Sequence, residues 1–172
     1  MQKNVEKFGY SDKRGRAPTS AAPYATENGL KEPALCQGCQ AIYHNKRWVL
    51  DPRQAEALQA DPGVTWVTCP ACLKVAGHDP EGIITLRGDY LWEHEQEIRN
   101  LLSNEAKRVL AKNPISRIIQ MEKTADGLVI ETTEQKLAEH LGRILARAHS
   151  GELNMTWSGV PRICRVVWER SG

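Results

Sequence analysis

The longest periodic stretch of the chain runs over residues 92–112. There Ile98, Leu101, Leu102, Ala106 and Val109 recur at helical spacing, and Asn113-Pro114 stops the helix. A second helix is predicted after Thr132, which makes a capping box with Gln135 three residues on. Its buried stripe is Leu137, Leu141, Ile144, Leu145 and Ala148, and Gly151 stands where a C-cap belongs. Short apolar runs at 82–88, 115–123, 128–131, 153–157 and 163–169 predict strands. Thr124-Ala125-Asp126-Gly127 joins the second and third, because Asp-Gly accepts the positive φ of a tight hairpin, and Ser158-Gly159-Val160-Pro161 joins the last two. Residues 81–172 are therefore expected to be an α+β domain, a mostly antiparallel sheet with two helices on one face.

The pattern upstream predicts a smaller unit over residues 34–80. It holds a strand at 43–50, a helix at 51–58 with Asp51 as N-cap and Pro52 in the first turn, and a strand at 64–68 after the stop signal Asp61-Pro62-Gly63. Residues 1–33 are poor in large aliphatics, contain Lys3, Lys7, Lys13, Arg14, Arg16 and Lys31, and include the small-residue run Ala17-Pro18-Thr19-Ser20-Ala21-Ala22-Pro23. Such a segment buries too little apolar surface to offset the entropy of ordering, so a basic arm, disordered when free, is expected. A length of 172 residues suits one main domain with a small stapled module. The formal net charge of +2 is too small to identify a nucleic-acid binder by itself. No apolar run approaches a membrane span, and the opening Met1-Gln2-Lys3-Asn4-Val5-Glu6-Lys7 has no apolar signal core. A soluble, cytoplasmic protein is the expectation.

Chemistry concentrates in two turns, Cys36-Gln37-Gly38-Cys39 and Cys69-Pro70-Ala71-Cys72. Two residues between cysteines let one tight turn aim both sulfurs at one ion. Two such turns close a four-sulfur shell with no open position, which is the pattern of structural zinc. The predicted strand, helix and strand fill the 29 residues between the turns, giving a zinc ribbon with a helical insertion. A redox dithiol or a pair of disulfides is the competing use of these cysteines; the doubled motif and the missing signal core favour zinc. Cys164, inside Ile163-Cys164-Arg165-Val166-Val167-Trp168, reads as a small core residue of a strand.

Three further sets are candidates for function. Lys136, His140, Arg143 and Arg147 fall at i, i+4, i+7 and i+11 on one helix face, a cationic ridge that either is solvated surface or meets phosphate. Lys13, Arg14 and Arg16 in the arm invite the same two readings. Five tryptophans beside one phenylalanine are by default core or strand-face residues, although rings exposed next to arginines can stack on unpaired bases. The five histidines are scattered, and there is no phosphate loop, nucleophile elbow or HExxH motif, so the reading is non-enzymatic, with no small-molecule substrate.

A family resemblance joins these features. The order CxxC, CPxC, a strand ending in Leu86-Arg87, a Glu-rich helix, and Asp126-Gly127-Leu128 leading to a strand and a helix with Ala146-Arg147 resembles the Nmd-three family. That family comprises the large-ribosomal-subunit export adaptor of eukaryotes and its archaeal relatives. The similarity runs from about Cys36 to Trp168 and is thin. It implies zinc held by Cys36, Cys39, Cys69 and Cys72, followed by a small α/β domain that sits on the large ribosomal subunit. Taken with the charge pattern, the expectation is a protein that docks on the large ribosomal subunit or structured RNA, with Lys136, Arg143, Arg147 and the basic arm making the contacts. The alternative is a zinc ribbon serving protein interaction or transcription without RNA.

Overall fold

Two sheets form in succession along the chain. The computed structural model describes residues 29–160 and 162–172, so Lys13, Arg14 and Arg16 lie outside the described residues. The first unit contains β1 (Ala34–Cys36), β2 (Ile42–His44), β3 (Arg47–Val49), α1 (Pro52–Gln59), β4 (Thr65–Val67) and α2 (Pro70–Gly77). Its sheet order is β3-β2-β1-β4, with β1 and β4 parallel. The single strand expected over 43–50 is instead a hairpin, because Asn45 and Lys46 both adopt positive φ (51° and 59°) and reverse the chain in two residues. Helix α1 is capped by the Asp51 carboxylate, which accepts from the amides of Arg53 and Gln54 at 3.1 Å each. It covers one sheet face, burying Leu35, Ile42 and Ala55 with Leu58 and Val64 packed around them.

The second unit contains β5 (Gly82–Arg87), α3 (Asp89–Glu93), α4 (Glu95–Lys112), β6 (Ile118–Thr124), β7 (Gly127–Thr132), α5 (Gln135–His149), β8 (Glu152–Ser158) and β9 (Ile163–Glu169). Its order is β6-β7-β5-β9-β8, and only β5 and β9 run parallel. One face buries Ile84, Leu86, Leu128, Ile130, Val166 and Trp168 against Ile98, Leu102, Leu137, Leu141 and Leu145 of α4 and α5. The fold is thus α+β, a cysteine-bearing sheet unit followed by a mostly antiparallel sheet with two long helices on one face.

Local details depart from expectation for physical reasons. The helix expected over 92–112 is two helices, because the backbone leaves helical geometry at His94 (φ −118°, ψ 19°). The capping box does not form: Thr132 belongs to β7 and its hydroxyl donates to the Glu134 carbonyl at 2.8 Å, leaving Glu134 as N-cap without a side-chain bond. The buried stripe of α5 is rotated, with Ala138 and Gly142 buried while Ala148 is exposed. A Cβ on Gly142 would lie 2.7 Å from Val166 Cγ1, so glycine there lets α5 close onto β9. Ser150 rather than Gly151 caps α5. Strand β6 begins at Ile118 and not at 115, because the Thr133 hydroxyl takes the place of ladder partners. It donates to the Ile115 carbonyl at 2.6 Å and accepts from the Arg117 amide at 2.8 Å.

Polar clamps tie the units together. Lys74, 2% exposed on α2, places its ammonium 2.7 Å from Glu81 Oε1 and donates to the Thr133 carbonyl at 3.0 Å. His78, the left-handed C-cap of α2, meets Glu131 of β7 at 2.7 Å. A buried ion pair is weak evidence of net stability, but removing one partner leaves a charge in the interior. Lys74→Met is therefore expected to destabilise the protein by about 3–5 kcal/mol, and adding Glu81→Gln to recover most of that loss. Chemical denaturation of the single and double variants checks this.

Candidate metal centre

Each cysteine pair is delivered by a different device. Cys36 ends β1, and the chain then turns so tightly that the Gln40 amide donates to the Cys36 carbonyl at 2.9 Å while the Cys36 amide donates to the Ala41 carbonyl at 2.8 Å. Gln40 takes a positive φ of 63° to complete the knuckle. Gly38 passes so close to the sulfurs that a Cβ there would lie 2.9 Å from Cys72 Sγ. The second pair was expected on a turn, but Pro70 starts α2 instead. Cys69 is its N-cap, and Cys69 Sγ accepts from the Cys72 amide at 3.4 Å. Proline suits that first helical position, and the positive end of the helix favours thiolates.

The four sulfurs all lie within 4.8 Å of one another. Cys36 Sγ to Cys72 Sγ and Cys39 Sγ to Cys69 Sγ are each 3.7 Å. Disulfide sulfurs sit at about 2.05 Å, whereas a tetrahedron with zinc–sulfur bonds of about 2.3 Å has edges of about 3.8 Å. The donor set therefore fits a four-coordinate, sulfur-loving ion such as zinc, held by Cys36, Cys39, Cys69 and Cys72. Four protein ligands leave no position for water, so such an ion would be structural. The bond between Cys39 and Cys69 pulls Cys39 far below a free thiol and, with burial, pushes Cys69 up; burial also raises Cys72.

Peptide and side-chain donors surround the cluster. The amides of Gly38 and Cys69 donate to Cys36 Sγ at 3.4 and 3.2 Å. Arg117, just before β6, donates through Nη2 to Cys72 Sγ at 3.1 Å and Cys69 Sγ at 3.3 Å. Burial alone would weaken its hold on the proton, but the bond and charge of Cys72, followed by the charges of Cys69 and Cys39, outweigh it and raise its pKa. Ala41, Ala71, Trp48 and Ile115 pack around the sulfurs. Sequence reasoning missed Arg117, whose nearest sulfur ligand lies 45 residues away. It also missed Lys74, although a lone charge in the apolar stretch Pro70–Gly77 was a legible signal.

The remaining candidates disperse. Lys136, Arg143 and Arg147 are all exposed on α5. Two members of that ridge have acidic partners: His140 lies 2.7 Å from Glu105, and Arg143 lies 3.5 Å from Glu139. Arg143 and Arg162 both act electrostatically on Cys164, whose thiol burial pushes up to about 11. Beside them Trp157 is exposed, with the Arg162 guanidinium 5.8 Å from its ring. Trp66 and Trp92 are also exposed, Trp48 packs on Tyr43, and Trp168 is buried. At the far ends of β5 and β9, Tyr90 is stacked on His94 at 4.0 Å and covered by the Arg170 guanidinium at 3.7 Å. Its hydroxyl bonds His149 Nδ1 at 3.0 Å.

No protein-family model matches the chain, and neither does any curated protein. The site's own chemistry therefore carries the functional reading.

The purified chain is expected to hold one zinc per molecule, and Cys69→Ser to lower thermal stability far more than Cys164→Ser. Elemental analysis and thermal unfolding with and without chelator report both; equal sensitivity of the two variants contradicts the ligand assignment. A second expectation concerns His149, whose pKa is lowered chiefly by burial, with the charges of His94 and Arg170 adding to the shift against Glu97. Its folded value lies below its unfolded one. The stabilisation is therefore present above the unfolded value of about 6.5 and lost as pH falls through the folded value. An NMR titration of the His149 ring should give a midpoint under 6.5.

Proposed function

We propose that the chain is a non-enzymatic, zinc-stabilised docking protein whose partner is structured RNA, with the large ribosomal subunit as the setting suggested by its resemblance to the Nmd-three family. The observation that carries the metal half is the 3.7 Å sulfur spacing in a closed four-cysteine shell. A metal in such a shell fixes geometry and performs no reaction, so function falls to the surface. The RNA half rests on the exposed cations of α5 together with Trp157 and Arg162 at the β8–β9 hairpin. Arginine beside an exposed ring supplies both a phosphate contact and a stacking platform. Lys136 and Arg147 extend the cationic face, and Lys13, Arg14 and Arg16 would add a basic arm.

One observation favours a second reading, protein interaction. Helix α2 is inverted in polarity: its lone charge, Lys74, is buried, while Leu73 and Val75 are 38% and 41% exposed. Val49, Leu50 and Trp66 of the cysteine-bearing unit are exposed as well, and exposed apolar side chains of this kind mark protein-docking surfaces when they are contiguous.

The two readings separate in one experiment. Replacing Lys136, Arg143 and Arg147 together with glutamate is expected to abolish co-sedimentation with ribosomal particles while leaving the fold intact, because the buried face of α5 is untouched. For every phosphate that is no longer neutralised, the logarithmic salt dependence of binding should flatten by about 0.7 to 0.9. Unchanged sedimentation of the triple variant across a salt series eliminates this face as the docking surface. Absence of wild-type binding to any ribosomal particle favours the protein-interaction reading instead.

A further inference from the structure

The metal centre is not confined to the cysteine-bearing unit. Arg117 belongs to the second sheet domain, yet one nitrogen, Nη2, carries two hydrogens and directs them at two different sulfurs, 3.1 Å from Cys72 and 3.3 Å from Cys69. Its backbone is fixed on both sides by Thr133: the Arg117 amide donates to Thr133 Oγ1 at 2.8 Å, and the Thr133 amide donates to the Arg117 carbonyl at 2.9 Å. Thr133 is itself buried, and its carbonyl accepts from Lys74 of α2. The same short connection between β7 and α5 therefore holds both the guanidinium that reaches into the sulfur cluster and the ammonium that comes out of the cysteine-bearing unit.

We propose that Arg117 is a positioning residue of the metal centre, supplied by the sheet domain, that sets metal affinity and shields the sulfurs. The inference rests on the metal-binding reading above. Four thiolates around a divalent cation leave a net charge of about −2, in surroundings that are largely buried. A guanidinium at bonding distance from two of them halves that charge, and it remains charged at any pH the protein meets. Hydrogen bonds to sulfur also withdraw lone-pair density, which slows attack on electrophiles and holds the ligands in one orientation. By linkage the effect is reciprocal: if the folded sheet domain tightens the metal, the metal tightens the start of β6 and the Thr133 connection. Loss of the ion would then be felt in the sheet domain, tens of residues from any ligand in sequence.

The test uses the full chain and zinc itself. Competition with a chromophoric chelator is expected to show zinc affinity about ten- to a hundredfold weaker in Arg117→Met, with Arg117→Lys recovering part of the loss because it keeps the charge without the reach and planarity of the guanidinium. In the cobalt-substituted protein the thiolate-to-metal charge-transfer band should move to lower energy in Arg117→Met, and iodoacetamide should modify the loaded cysteines faster. Lys74→Met cuts the same interface without touching a sulfur, so it should lower thermal stability and leave the band unmoved. If Arg117→Met does not fold, Thr133→Val, which frees the Arg117 amide, should give a smaller shift of the same sign. Hydrogen exchange at residues 115–119 and 133 should slow when zinc binds. Unchanged affinity and an unmoved band in Arg117→Met and Arg117→Lys overturn the proposal while leaving the metal reading intact; absence of any metal binding overturns both.

Discussion

Four sulfurs gathered within 4.8 Å, two of them fully buried, impose the constraint on which the rest of this protein depends. As thiolates they repel one another strongly at this range, and as thiols they make weak, poorly directed bonds. A divalent cation at their centre would resolve the conflict, and the nearby groups suit that arrangement. Gly38 removes a Cβ that would strike Cys72, Pro70 opens a helix whose positive end faces the sulfurs, and three backbone amides donate to them. The sheet of the cysteine-bearing unit is only three residues deep in each strand, too little to specify a fold by apolar burial alone.

The centre also explains how two sheets with separate cores become one structure. Among the described residues, Ile115 of the second unit supplies apolar packing against the sulfurs, while charged groups make the principal connections. Arg117 reaches into the sulfurs, Lys74 is buried against Glu81, and His78 meets Glu131. A buried charged contact such as Lys74–Glu81 contributes little net stability but tolerates few alternative geometries, so it suits an interface that must hold one orientation. The Thr133 connection is where these constraints meet.

Legibility in the sequence followed the range of the interactions. The long apolar stripes and hairpin signals of the sheet domain are local, and they gave the α+β class, the mostly antiparallel sheet and part of its core, Ile98, Leu102, Leu137, Leu141 and Leu145, but not Ala138 or Gly142, and they placed the exposed Ala148 inside it. The cysteine spacing is also local, and it identified four residues that the structure brings together. What the sequence did not reveal was set by distant partners. The capping box at Thr132 is a sound local pattern that lost to strand pairing, because β7 needs Thr132 against Gly82 and Ile118. The expected start of β6 at residue 115 lost to the Thr133 hydroxyl. Arg117 looked like an ordinary strand residue, since nothing in its neighbourhood hints at sulfurs 45 residues away. The tryptophans resisted assignment because a ring can finish a strand face in solvent, as Trp157 does, or inside the core, as Trp168 does, with no difference in pattern.

The surface divides the functional readings more evenly than the core does. The cationic face of α5 is real but diluted by Glu139 and Glu105, and the exposed apolar side chains of α2 compete with it as a docking surface. Both readings rest on a metal bound by Cys36, Cys39, Cys69 and Cys72, which would hold those surfaces in fixed relation. X-ray absorption at the zinc edge of the purified full chain tests that claim most directly. It should find four sulfur scatterers at about 2.3 Å and no light-atom neighbour in the first shell. A first shell that includes nitrogen or oxygen, or a folded chain without zinc, would contradict it.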